Sequence, residues 1–180
     1  SGNGLPDTPP TRGGPFELVD HTGRAVTDRD YHGRFLLVFF GYTYCPDICP
    51  TELQTLAEVM DLLGEAGEKV VPIFVTVDPE RDTVEVMADY VDAFHPRIVG
   101  LTGTPAQIAD VAAVYKAGYM KLTMPVAKGP DADDGLDYGM GHSALTYLVG
   151  PAGRVLTTYP RGTAPTALMA DIGQYLGGRQ

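Results

Sequence analysis

The chain has 180 residues and a formal net charge of −10, and its basic residues are scattered rather than clustered. This charge argues against nucleic acid and against an anionic membrane surface as partners, and it favours a monomer. One domain of this length buries roughly 70% of the surface of its unfolded chain, and the longest apolar run, residues 35–40, is far too short to span a bilayer.

The N-terminal segment is rich in Gly, Pro and Thr and predicts a flexible tether over residues 1–15, followed by one folded domain over residues 16–180. The chain begins with Ser1 rather than Met, and we therefore expect that a leader or membrane anchor has been removed ahead of the tether. Composition does not assign a compartment, because two cysteines fit either redox environment.

Hydrophobic patterning predicts a single α/β domain with no internal repeat. The first half of the chain is predicted to form a hairpin over 16–19 and 24–26, a buried central strand over 35–40, a helix from Pro50 that Gly64 ends, a second buried strand over 70–77 and a helix over 83–94. A short strand over 98–101, a helix over 105–117 and an extended segment over 118–122 follow. The rest is predicted to form an acidic, Gly-rich loop over 125–141, a hairpin over 143–149 and 155–159, and a closing helix over 164–176. This order is typical of an α/β sandwich in which helices flank a mixed sheet, and a thioredoxin-like fold with an N-terminal β-hairpin fits it best.

The only two cysteines, Cys45 and Cys49, lie four residues apart, where the strand over 35–40 gives way to the helix. On one helical turn, two sulfurs come within reach of one metal ion or of each other. A disulfide between them would close about five residues and stabilise the fold by only about 2 kcal/mol, so we expect redox or metal chemistry rather than a structural crosslink. The helix N-terminus favours the thiolate form, which supports disulfide exchange or capture of a soft metal such as Cu(I).

The cysteine pair differs from that of ordinary thioredoxins, because three residues separate the two cysteines and the chain contains no Trp. The wider spacing lets the sulfurs spread around a metal, and the natural third ligand is an imidazole. Three of the four histidines, His21, His32 and His95, fit polar surface or capping roles. His142 stands between the Gly-rich loop and an apolar strand, and spacing alone leaves it either a ligand or a hydrogen-bonded residue at a strand end.

Other side chains could add donors to such a site. Met120, Met124 and Met140 could supply thioethers, but they lack a repeated Met-x-x-Met pattern, which favours a role in filling the core or loops. Asp78, at the end of the second buried strand, could accept a hydrogen bond from a ligand or act as a weak axial oxygen. An ordinary turn carboxylate is an equally good interpretation of Asp78.

Four ordered segments resemble the Sco/SenC family of mitochondrial and bacterial copper proteins. The matching segments are residues 41–50 for the cysteine motif, 77–83 for a second signature, 99–103 for a third stretch, and 142–153 for the segment that carries the histidine ligand. The similarity runs from about residue 16 to residue 176.

The resemblance implies a thioredoxin fold that binds copper, as Cu(I) and also as Cu(II), through Cys45, Cys49 and His142, with Asp78 supporting the site. It implies a role in building the binuclear copper centre of cytochrome c oxidase subunit II, with copper supplied by a donor chaperone. It also implies a domain held on the extracytoplasmic side of a membrane by an N-terminal anchor. One departure is Gly141, which stands where many members carry an acidic residue before the histidine, so a supporting carboxylate is in question here while the ligand set is kept.

Two functions follow from these residues. The first is a metallochaperone that holds Cu(I) and passes it on by ligand exchange, which is not an enzymatic activity. The alternative is a thiol-disulfide oxidoreductase that keeps the cysteines of the oxidase subunit reduced, for which Cys45 and Cys49 suffice. A peroxidase of the related thioredoxin-like group is disfavoured, because the Pro-x-x-x-Thr-x-x-Cys pattern is missing.

Overall fold

The computed structural model describes residues 13–44, 48–117, 119–122, 139–142 and 145–178, and within this part only the main chain of residues 48, 119–122 and 139–142. Most of the predicted tether lies outside the described residues, as do Cys45, Met124 and nearly all of the predicted acidic loop. Gly13 donates its N–H to the carbonyl of Val114 at 2.9 Å, so the end of the predicted tether already contacts the folded domain.

Most of the described strands form one mixed sheet. The strands are β1 (Glu17–Asp20), β2 (Ala25–Thr27), β3 (Phe35–Gly41), β4 (Val70–Thr76), β5 (Val99–Thr102), β6 (Tyr119–Leu122), β7 (Gly139–His142), β8 (Leu145–Val149) and β9 (Val155–Pro160). Seven of them pair in the order β2-β1-β5-β4-β3-β8-β9, and β6 pairs with β7 in a separate ladder. β4 is parallel to both β3 and β5, whereas the other neighbours in the large sheet are antiparallel. The predicted mixed sheet and N-terminal hairpin are confirmed.

The helices follow the predicted order. They are α1 (Ile48–Leu63), α2 (Val84–Asp92), α3 (Pro105–Tyr115) and α4 (Pro165–Leu176), and short 3-10 turns at Asp28–Tyr31 and Gly64–Lys69 lead into β3 and β4. The predicted start of α3 is confirmed: the Thr104 hydroxyl accepts the Gln107 N–H at 3.1 Å and the Gln107 side chain accepts the Thr104 N–H at 3.0 Å. α3 ends two residues before its predicted end, where Lys116 takes a left-handed conformation (φ 54°).

The core lies around β3 and β4, the two strands predicted as buried. Every residue of β4 is buried, and all of β3 after its first residue is buried as well. This burial explains why both strands are continuous apolar runs rather than alternating patterns. Because the two strands are parallel, their carboxyl ends meet, with Gly41 opposite Thr76. The cysteine loop and the loop after β4 therefore leave the sheet side by side.

The segment around His142 differs from its prediction. Residues 139–141, predicted as part of a loop, belong to β7. Of the strand predicted over 143–149, the described residues form β8 (Leu145–Val149), and residues 143 and 144 lie outside the described part of the chain. β7 pairs with β6, with His142 opposite Tyr119. Backbone hydrogen bonds make this ladder, so the Gly-rich segment needs no apolar alternation to form a strand, and patterning did not reveal it.

Candidate metal and thiol site

Cys49 lies in the first turn of α1 and is 0% exposed. Its sulfur packs against the end of β3, where a Cβ built on Gly41 would lie 2.6 Å from Cys49 Sγ and 2.8 Å from Cε2 of Phe74. Only glycine therefore lets the helix approach the strand this closely. The prediction that a strand-to-helix turn carries the cysteines is confirmed for Cys49, while Cys45 lies outside the described residues.

A buried carboxylate holds the loop that leads to Cys45. Asp82 is 0% exposed and accepts the backbone N–H of Thr43 at 3.0 Å, the Thr43 hydroxyl at 2.5 Å and the Thr76 hydroxyl at 2.6 Å. Its backbone carbonyl accepts the Thr102 hydroxyl at 2.9 Å. Burial raises the pKa of the Asp82 carboxyl above its usual value, and the hydrogen bonds from Thr43 and Thr76 oppose that rise. Sequence reasoning missed Asp82, because an aspartate just before a helix cap has the pattern of an ordinary turn residue.

Asp78, the predicted supporting residue, is buried beside the same loop. Its carboxylate forms an ion pair with the Arg81 guanidinium, and its backbone N–H donates to the Thr76 hydroxyl at 2.9 Å. Arg81 in turn stacks on the ring of Tyr44, with its central carbon 4.4 Å from the ring centroid. Tyr44 directly precedes Cys45 in the chain and is 61% exposed. Asp78 thus contacts the cysteine loop through Arg81, and its supporting role at a copper site stays a prediction.

His142 is described only in its main chain, at the end of β7. Met120 lies opposite Gly141 in the same ladder, and Met140 lies opposite Lys121. The predicted meeting of the His142 ring with the cysteine sulfurs therefore stays a prediction, as do the roles of the three methionines.

The other histidines occupy polar structural positions, as predicted. Nδ1 of His21 accepts the Gly100 N–H at 3.0 Å. His32 contacts the Asp28 carboxylate at 3.2 Å, and His95 contacts that of Asp61 at 3.1 Å. Among the side chains that the structure describes, no group of three or more His, Cys, Asp or Glu residues is arranged to hold a metal ion.

A second buried carboxylate, missed in the sequence, joins α1 to the turn between β9 and α4. Glu52 is 4% exposed, and its Oε1 accepts the N–H of Gly162 at 2.9 Å in the turn between β9 and α4. Glu52 lies three residues after Cys49 on α1. The helix that carries Cys49 is therefore fixed by Gly41 on one side and by the β9–α4 turn on another.

The arrangement can supply a soft donor from a fixed position. Cys49 is buried in the core, and the residues that lead to Cys45 are held by the Asp82 carboxylate and by the Arg81 guanidinium. Two thiolates at such a place suit a soft cation or disulfide exchange. No helix among the described residues is long and apolar enough to cross a membrane.

Comparison with known proteins places these features in a family. The SCO1/SenC family model matches residues 6–177. The mitochondrial SCO1 homologue of Homo sapiens is 39% identical over 169 residues, which cover 93% of this chain and 54% of that protein. The chain thus spans about half the length of this relative.

Two solved structures are similar over nearly the whole domain. Arabidopsis thaliana ScoI with copper bound has 37% identity and a TM-score of 0.81, covering 93% of this chain and 99% of that one. Bradyrhizobium japonicum ScoI with copper bound has 42% identity and a TM-score of 0.79, covering 91% of this chain and 99% of that one. The thioredoxin-like fold predicted from the element order agrees with these neighbours.

Proposed function

Because the chain belongs to the SCO1/SenC family, we propose that it is a copper carrier whose ligands are Cys45, Cys49 and His142. The family is one of cytochrome c oxidase assembly proteins, and the cargo is delivered to the binuclear copper centre of oxidase subunit II. The observation that carries the proposal is the position of Cys49, buried in the first turn of α1 and packed on Gly41. The copper-bound relatives from Arabidopsis and Bradyrhizobium support copper as the cargo.

The ligand set suits Cu(I) and accepts Cu(II). Thiolates are soft ligands that favour Cu(I), and an imidazole completes a three-coordinate site that serves both oxidation states. An open, low-coordinate site allows an incoming thiolate to bind before an outgoing one leaves. Copper then moves to the acceptor by ligand exchange, with no change in its oxidation state and no net reaction of the protein.

The proposal includes a setting for this exchange. An N-terminal anchor holds the domain on the extracytoplasmic side of a membrane. There the protein, as a monomer, receives copper from a donor chaperone. It binds subunit II at the end of the sheet from which the cysteine loop leaves. Tyr44, exposed beside Cys45, lies where an approaching partner would contact the loop.

The first prediction concerns copper binding by single variants. The reduced protein is expected to bind one Cu(I) per chain, and Cys45→Ala, Cys49→Ala and His142→Ala are each expected to weaken binding strongly, because each removes one of three ligands. His32→Ala is the matched control, because His32 contacts Asp28 before the start of β3 whereas the cysteines follow the end of that strand. This variant should bind copper as the unaltered protein does. Titration against a chromophoric competitor gives the affinities, and X-ray absorption counts sulfur and nitrogen neighbours.

An unchanged affinity and an unchanged nitrogen neighbour in His142→Ala would remove His142 from the ligand set. Loss of binding in His32→Ala of the same size as in His142→Ala would show that the loss reflects unfolding. Circular dichroism of each variant separates the two explanations.

A second candidate function uses the same cysteines as a reductant. The four-residue spacing of the cysteines in the chain favours it, because one thiolate can attack an acceptor disulfide and the other can then displace the mixed disulfide. Two electrons pass to the acceptor, which leaves as a dithiol, and a Cys45–Cys49 disulfide remains. His142→Ala would retain full reductant activity on oxidised subunit II under this function, whereas a copper carrier would lose its cargo.

A further inference from the structure

We propose that Asp82 is a positioning residue for the cysteine pair: through Thr43 its carboxylate fixes the loop before Cys45 and thereby sets the affinity of the pair for Cu(I). The inference rests on the proposed function for its copper readout. It concerns a residue outside the proposed set of copper ligands.

The first support is the number of bonds that join Asp82 to one residue. Oδ2 accepts the backbone N–H of Thr43, and Oδ1 accepts its hydroxyl. Two bonds from one carboxylate fix both the main chain and the side-chain rotamer of Thr43, across 39 residues of sequence. Hydrogen bonds to an ionised acceptor are roughly twice as strong as neutral ones.

The second support is the burial of the carboxylate. Asp82 is 0% exposed, and placing a carboxylate there costs free energy that an apolar side chain would not cost. Among the described residues, its hydrogen-bond donors are one amide and two hydroxyls, which are neutral. The free-energy cost of burying Asp82 is explained if its hydrogen bonds to Thr43 position the cysteine pair.

The third support is that neighbouring contacts act on the same short segment. The N–H of Val77 donates to the carbonyl of Gly41 at 2.8 Å. Arg81, held by Asp78, stacks on Tyr44. The loop after β4 therefore holds the chain from Gly41 to Tyr44, and Asp82 provides the central attachment.

The consequence follows from how differently the two cysteines are held. Cys49 is fixed in the core against Gly41. Cys45 follows Thr43 by two residues, so the position of Thr43 governs where the first sulfur can lie relative to the second. Groups that orient metal ligands from outside the ligand set typically change affinity by about 10–100-fold when they are lost.

The test compares substitutions at Thr43 with one elsewhere. Thr43→Val keeps the shape of the side chain but removes the hydroxyl bond to Asp82, and we expect the affinity for Cu(I) to fall by about tenfold or more. Thr43→Ser restores the hydroxyl and should bring the affinity back to within about threefold of the unaltered protein. Thr104→Val is the matched control: it removes the hydroxyl that caps α3, costs stability, and should leave the affinity unchanged.

Asp82→Asn is the companion variant, and it should weaken copper binding, with an effect that is less than additive with that of Thr43→Val because the two substitutions disturb one shared hydrogen bond. A readout that needs no copper is the pH profile of Cys45 alkylation in the reduced protein. This profile should shift in Thr43→Val and Asp82→Asn and stay in place in Thr104→Val.

The outcomes separate this inference from the proposed function. If the unaltered protein binds no copper, the carrier function fails, and the alkylation profiles alone decide the role of Asp82. If copper binds, but Thr43→Val and Thr104→Val lower the affinity equally or not at all, the positioning role is overturned. The same holds if Thr43→Ser fails to restore both readouts.

Discussion

Gly41 is the point at which the last residue of β3 meets the first turn of α1. A Cβ there would lie 2.6 Å from the sulfur of Cys49 and 2.8 Å from the ring of Phe74. Both neighbours are buried in the core and cannot swing aside into solvent. The absence of a side chain at Gly41 thus determines where Cys49, a proposed copper ligand, lies.

Gly41→Ala should therefore destabilise the protein and displace the Cys49 sulfur. We expect the free energy of unfolding to fall by about 1–3 kcal/mol, the usual cost of forcing an extra carbon into a packed core. Urea unfolding measures the loss, and faster alkylation of Cys49 in the native state reports the displaced thiol.

Gly173→Ala provides the control for this prediction. Gly173 lies inside α4, where a Cβ would meet nothing within 4 Å, so the same substitution should stabilise the protein by about 0.5–1 kcal/mol. Opposite signs at the two glycines would assign the loss at Gly41 to packing. A stable Gly41→Ala protein with slow Cys49 alkylation would contradict the argument.

At the scale of elements, α1 is joined to the β9–α4 turn by a carboxylate. Glu52 accepts the N–H of Gly162, across 110 residues of sequence. α1 and α4 also pack against each other, so this bond sits at the edge of a helix pair. It holds the carboxyl side of the first turn of α1, close to Cys49.

Glu52→Ala should lower the free energy of unfolding by about 1–3 kcal/mol, because the Gly162 N–H would lose its acceptor at a partly buried site. Glu52→Gln keeps an oxygen acceptor of the same length and should lose less. Urea unfolding of the three proteins gives the comparison. Equal losses in both variants would show that the negative charge, rather than the accepted hydrogen bond, matters.

The elements themselves were largely predictable, because their signals are local. Continuous apolar runs marked β3 and β4, and the Thr104–Pro105 pair marked the start of α3. β7 was missed because glycines carry no periodic pattern, although their backbone groups pair with β6.

The candidate site was predictable only in its donors. Residue type and spacing identified Cys45 and Cys49, and resemblance to a family identified His142. Asp82 and Glu52 escaped notice because the partners that justify burying them lie 39 and 110 residues away in the chain. A single sequence does not show which distant hydroxyl or amide will meet a given carboxylate.

At the scale of the whole molecule, buried phenols should limit stability in alkali. Burial raises the pKa of Tyr31 to about 12, helped by the nearby carboxylates of Asp20 and Asp30. Burial also raises the pKa of Tyr115, whose ring packs against Phe40 and Tyr147 at centroid distances of 5.7 and 5.6 Å. Ionising either phenol therefore costs more free energy in the folded protein than in the unfolded chain.

Stability should therefore fall as the pH rises from 10 towards 12. In this window the unfolded chain has released the Tyr31 proton while the native state keeps it, so the native state binds more protons and unfolding is favoured by rising pH. Each buried phenol contributes a slope of at most about 1.4 kcal/mol per pH unit. Tyr31→Phe should reduce the slope, as measured by urea unfolding at a series of pH values.

The net charge of −10 offers a competing cause, since alkali adds further negative charge to an acidic molecule. Salt separates the two causes, because repulsion between exposed charges more than about 8 Å apart is largely screened at 0.15 M ionic strength and buried groups are screened much less. If buried phenols dominate, the alkaline slope persists in high salt and Tyr31→Phe still lowers it. A slope that salt abolishes, and that Tyr31→Phe leaves untouched, would assign alkaline unfolding to surface charge instead.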